Sequence, residues 1–119
     1  MAFQLNHVHV KSPDPHQTAK FYVDNLGAEV MGDIPGRGVR LNLHGLTINL
    51  TTHVEDQKRQ QHYGMEHFAL NTDDIDTVVN NLTSSGAKLL EEMTSQTGRR
   101  VCFLEGPDGV QFELIQAAS

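Results

Sequence analysis

The sequence predicts an α+β fold of two βαβββ modules that form a curved mixed sheet, and two observations carry that prediction. A histidine opens a strand-like segment twice, His7 in Asn6-His7-Val8-His9-Val10 and His67 in Glu66-His67-Phe68-Ala69-Leu70. Each segment is followed by a helix signal, a glycine and three further strand-like runs, and the last run places Asn49 in the first copy where Glu113 stands in the second. From the opening histidine to the helix-ending glycine there are twenty residues in the first copy and nineteen in the second.

In chain order, residues 4 to 11 alternate as a strand, and Ser12-Pro13-Asp14-Pro15 stops it and starts a helix. Asp14 can accept from the first unpaired helix amides, and Pro15 suits the first turn, where no amide donor is required. The helix runs to about Asn25, with Gly27 as its left-handed exit. Ala28 to Met31 reads as a short strand, Gly36-Arg37-Gly38 as a turn, Val39 to Leu43 as a strand, His44-Gly45 as a tight turn, and Leu46 to Thr52 as a strand.

His53 to His62 is polar without an apolar period and reads as a linker. The second copy starts with a strand from Met65 to Asn71. A helix capped by Asp73 or Asp74 follows, with Ile75, Val78, Val79 and Leu82 on one face and Gly86 at its end. Lys88 to Glu92 is a strand, Thr94 to Gly98 a polar loop, Arg100 to Leu104 a strand, Gly106-Pro107-Asp108-Gly109 a turn, and Val110 to Gln116 the closing strand. The expected organisation is a single domain over 1–119, with a first module at 4–53, a linker at 54–63 and a second module at 64–117.

Composition narrows the function. Hydrophobic residues are 38% and charged ones 20%, with no apolar run long enough for a membrane span and no export leader, so the expectation is a soluble cytoplasmic protein without membrane contact. A formal charge of −6 argues against a nucleic-acid surface, which needs clustered Lys and Arg. The lone Cys102 lies in an apolar run and reads as a buried, inert thiol.

Strand alternation then sorts the side chains by face. His7, His9 and Lys11 point one way while Val8 and Val10 point the other, toward the helices. Thr47, Asn49 and Thr51 share a face, as do His67, Ala69 and Asn71, and Gln111, Glu113 and Ile115. The polar side is the expected open hollow.

On these residues the chain resembles the vicinal oxygen chelate superfamily. The superfamily includes glyoxalase I, methylmalonyl-CoA epimerase, extradiol dioxygenases, and fosfomycin- and bleomycin-resistance proteins. The resemblance rests on His7-Val8-His9-Val10 with Asp14, Phe21-Tyr22 with Leu26-Gly27, His67-Phe68-Ala69 with Asp73-Asp74, and Gly106-Pro107-Asp108-Gly109 before Phe112-Glu113-Leu114. It implies metal ligands at His7, His67 and Glu113, with Glu113 also catalytic, and a divalent ion whose identity among Fe, Mn, Ni, Co and Zn is left open. Two neutral imidazoles and a carboxylate suit such an ion and leave positions for a small substrate with adjacent oxygens. Asn49, His9 and Arg100 are candidate substrate contacts, Asn49 also a candidate fourth ligand. The resemblance further implies a homodimer with paired modules, His7 coming from one chain and His67 with Glu113 from its partner.

The expected function is a metal-dependent lyase or isomerase of glyoxalase type that chelates vicinal oxygens and stabilises an enediolate. An Fe(II) ring-cleaving dioxygenase using the same triad is the first alternative, and an antibiotic-resistance thiol transferase or a non-catalytic binding protein the second. Departures from the family patterns bear on that choice. Asn49 stands where glyoxalase I has a glutamate, and an amide cannot be a general base near neutral pH. Phe103 and Leu46 stand where extradiol dioxygenases carry a tyrosine and a proton-transferring histidine. Thr94-Ser95-Gln96-Thr97-Gly98 shows no recognisable potassium loop of the fosfomycin enzymes, and the complete triad counts against the bleomycin-binding class.

Overall fold

In the computed structural model residues 2–95 and 97–118 are described, so Gln96 of the polar loop lies outside the described residues. The chain divides into two compact units, one spanning His7–Glu66, the other running from His67 onward together with the residues before His7. Each unit carries the βαβββ order that the repeat predicts.

In the first unit, β1 (Phe3–Lys11), from its His7 onward, leads into α1 (Pro15–Leu26), followed by β2 (Glu29–Ile34), β3 (Gly38–Leu43) and β4 (Leu46–Thr51). Asp14 accepts from the Gln17 amide at 3.2 Å, Pro15 fills the first turn, and Gly27 exits at φ 74°, as the sequence predicts. β1 and β4 run parallel, with His9 opposite Asn49, because α1 returns the chain across the sheet before the β2–β3–β4 meander begins. Ala19 of α1 packs with Val10, Val39, Leu41, Ile48 and Leu50, joined by the half-buried Tyr22 and Val23. Leu41 and Leu50 are fully buried, and each such leucine contributes about 1.5–3 kcal/mol relative to exposure.

The second unit repeats this plan with β5 (Gly64–Thr72), α2 (Ile75–Ser84), β6 (Lys88–Thr94), β7 (Arg100–Glu105), a 3-10 turn at Pro107–Gly109 and β8 (Gln111–Gln116). β5 and β8 run parallel with Ala69 opposite Glu113, so Asn49 and Glu113 hold the same register, two residues beyond the opening histidine. Ile75 and Val78 of α2 pack with Cys102, Leu104 and Leu114. The edge strands β2 and β6 are longer than the sequence suggests. Each bulges at its third residue, between Val30 and Gly32 and between Leu89 and Glu91, and pairing resumes beyond the bulge.

The capping aspartate of α2 is Asp74, which accepts from the Thr77 amide at 3.2 Å and the Thr77 hydroxyl at 2.8 Å. Chiefly through that hydroxyl, its carboxyl is held below the ordinary aspartate range. A lowered folded-state pKa means the cap stabilises near neutral pH and is lost as pH falls through the folded value. Asp74→Ala is therefore expected to lower the melting temperature near neutral pH, and the difference from wild type should narrow in acid, followed by circular dichroism.

The polar stretch before β5 is folded onto the first unit. Gln61 bridges Val54, accepting from its amide at 2.9 Å and donating to its carbonyl at 2.6 Å. Lys11 donates to the Thr52 carbonyl, Gln57 and Gln61 at 3.2–3.3 Å, so this end of the polar strand face is covered, contrary to the open hollow expected there. Burial is the main reason the Lys11 ammonium is held below the ordinary lysine range, with Glu66 acting in the opposite direction. Arg59 pairs with Glu66 at 3.3 Å, and both side chains are almost wholly buried.

No helix among the described residues is long and apolar enough to cross a membrane.

Candidate functional site

In the second unit the parallel neighbours β5 and β8 bring His67 and Glu113 together. Their register puts both side chains on one face, and His67 Nε2 lies 3.0 Å from Glu113 Oε1. The imidazole is almost fully buried, and Glu113 keeps about an eighth of its side chain exposed. Phe103 from β7 stands edge-on to the His67 ring, with centroids 5.3 Å apart, and limits its rotation. Phe103 is also the Cα partner of Glu113, so one aromatic side chain borders both groups.

The other face of the same strands is apolar. Phe68 stacks on Phe112 with centroids 5.6 Å apart, and with Leu70, Leu114, Val78 and Leu82 they line a cavity of about 290 Å³ beside α2. The strand period of two thus separates a polar His–Glu face from the helix-packed face.

In the first unit the corresponding face carries His7, His9, Asn49 and Thr51. The rings of His7 and His9 lie 5.8 Å apart, His7 is buried, and His9 shares a 2.6 Å hydrogen bond with the Thr51 hydroxyl. Asn49 Oδ1 accepts from Arg40 Nε at 3.1 Å. The sequence reading missed Arg40, although the two-residue turn His44-Gly45 sets Leu43 against Leu46 and hence Arg40 against Asn49.

Arg100 is placed elsewhere. On β7 it alternates with Phe103 and shares the side of Cys102 and Leu104, which pack against α2. There its guanidinium pairs with Asp76 of α2 and, at 3.3 Å, with Glu92. The structure thus places Arg100 in an ion-pair network on the helix side, off the face that carries Glu113. Cys102, beneath that network, is fully buried, and burial first and Glu92 second push its thiol up to about 11. That agrees with an inert thiol.

A neutral imidazole nitrogen and a carboxylate oxygen at this separation fit a divalent ion of the first transition series or zinc, and the second unit supplies both donors on one face. His7 stands at the equivalent strand position in the first unit.

A family model described as Glyoxalase/Bleomycin resistance protein/Dioxygenase superfamily matches residues 4–114. The chain belongs to that superfamily. Glyoxalase I of Saccharomyces cerevisiae is 26% identical over 93% of the chain, and the match takes up 44% of the yeast protein. The chain spans less than half the length of the first curated relatives it matches. Mitochondrial methylmalonyl-CoA epimerase of Bos taurus is 33% identical, with coverage of 96% of this chain and 74% of the bovine protein. Among solved structures, a hypothetical protein from Bacillus halodurans C-125 superposes with a TM-score of 0.76 at 20% identity, covering 100% of this chain and 97% of that one. That likeness is one of fold.

Proposed function

We propose that this superfamily member is a divalent-metal-dependent lyase or isomerase acting on a small substrate with two adjacent oxygens. The observation that carries the reading is the buried His67–Glu113 pair, held at 3.0 Å by parallel strands. His7, at the matching strand position of the first unit, completes the proposed ligand set, as the repeat suggests. A bound ion would supply Lewis-acid stabilisation of negative charge on the substrate oxygens. Fe, Mn, Ni, Co and Zn all suit the donor set.

The chain's own residues then have separate tasks. Glu113 is the acceptor for the proton on the carbon next to the substrate carbonyl, since the amide of Asn49 has no basic oxygen near neutral pH. Phe103 holds the His67 ring edge-on and stands opposite Glu113 in the β7–β8 register. His9, tied to Thr51, offers a second polar contact for substrate. Relatives named as lactoylglutathione lyases and as an epimerase support a lyase or isomerase over a dioxygenase. We also take the active species to be a cytoplasmic homodimer with paired modules, which light scattering at twice the chain mass would support.

The test is solvent exchange. Metal-loaded protein in deuterium oxide is expected to exchange the proton next to the carbonyl of lactoylglutathione or of methylmalonyl-CoA, the compounds that the relatives' names give, read by NMR. Chelation should stop the exchange, and its absence with both substrates after loading with each of the five metals would sink the reading.

A further inference from the structure

We infer that the strand face of the first unit recognises a carboxylate on the substrate, with Arg40 as its anchor and Asn49 as the group that aims it. This deepens the proposed reading, on which it rests for the claim that the bound carboxylate belongs to a substrate.

The geometry starts from the β3–β4 register. Arg40 lies opposite Asn49, their side chains share a face, and Arg40 Nε donates to Asn49 Oδ1 at 3.1 Å. A guanidinium has five N–H donors, so this bond leaves both terminal nitrogens and their four hydrogens, the fork that matches two oxygens of a carboxylate. Because Asn49 accepts through its oxygen, its amide nitrogen is left as a donor beside that fork. Restraint of Nε fixes the plane of the guanidinium before any ligand arrives, which lowers the cost of ordering an exposed side chain.

Charge around Arg40 agrees with this reading. Among the described residues Arg59 and Arg100 are paired with carboxylates of the chain, whereas the exposed Arg40, like Arg37 and Arg99, forms no ion pair; of these three, Arg40 has its guanidinium held by a side chain, Asn49. β3, β4 and the stretch His7–Lys11 contain no Asp or Glu at all. On β2, Gly32 lies opposite Arg40, Glu29 lies on the same face opposite Asn42, and Asp33, opposite the buried Val39, is turned to the helix side, where it lies 3.6 Å from His16. The same logic accounts for the amide at position 49. In the second unit the equivalent position is Glu113, but an acid opposite Arg40 would neutralise the guanidinium and remove the anion site.

The test is a titration of the full chain without added metal, read from the Arg40 Nε–Hε and Asn49 side-chain amide signals in nitrogen-15 NMR. Malonate should shift both saturably, while malonamide, and sodium chloride at equal ionic strength, should not. Arg40→Gln and Asn49→Asp should each weaken malonate binding by about tenfold or more, as loss of a charge-assisted contact requires. The inference is overturned if chloride reproduces the shifts, if Arg40→Gln binds malonate as wild type does, or if inorganic phosphate binds more tightly than malonate. Metal uptake measured on the same samples reports separately on the lyase or isomerase reading. A normal metal content with no malonate response sinks the carboxylate anchor alone, and a malonate response without metal uptake sinks only that reading.

Discussion

Glu113→Gln is expected to lower the rate of deuterium incorporation next to the substrate carbonyl by about 10²–10⁴-fold, the usual contribution of a positioned general base. Glutamine keeps the side-chain length and an acceptor oxygen for His67, which now lies 3.0 Å from the carboxylate, so folding should be little changed. What it loses is the charge and the basic oxygen. Excess metal should restore occupancy lost through the weaker amide ligand and should not restore the rate. Full recovery at high metal concentration would make Glu113 a ligand only and move the base elsewhere.

Arg59→Met is expected to destabilise the fold by about 3 kcal/mol, because removing one partner of a buried ion pair leaves Glu66 buried without its guanidinium, with Lys11 still acting on it. The Glu66 side chain is fully buried and the Arg59 side chain nearly so, and Gln57 Nε2, 3.3 Å from Glu66, is a neutral donor that replaces little of the lost charge. Chemical denaturation is the readout. Arg59→Met/Glu66→Leu should recover more than half of the loss, since a buried pair exchanged for apolar groups of similar volume is often near neutral.

The difference between these two sites marks what the chain reveals before folding. Caps and exits depend on neighbours within a few residues, so Asp14, Pro15, Gly27 and Asp74 are legible as punctuation. The repeat made the fold class legible too, and the matching registers of Asn49 and Glu113 follow from it. The polar stretch 54–63 reads as a linker because its order comes from tertiary partners, Lys11 and Glu66, and not from any period of its own. The placement of Arg100 beside Asp76 depends on a helix residue 24 positions away and has no local signal in the sequence. Arg40 is legible only through the His44-Gly45 turn, which fixes its pairing with Asn49, and carries no signal in charge clustering because it has no basic neighbour in sequence. The edge strands run beyond their sequence pattern because a bulge at the third residue breaks the alternation while pairing resumes after it.

The central claim is a divalent-metal centre built on His67 and Glu113, with His7 at the matching position. Elemental analysis of purified, metal-loaded chain tests it most directly. The expected result is about one divalent ion per chain for wild type and about a tenfold or greater loss of affinity in each of His7→Ala, His67→Ala and Glu113→Ala. Unchanged metal content in the three variants would contradict it.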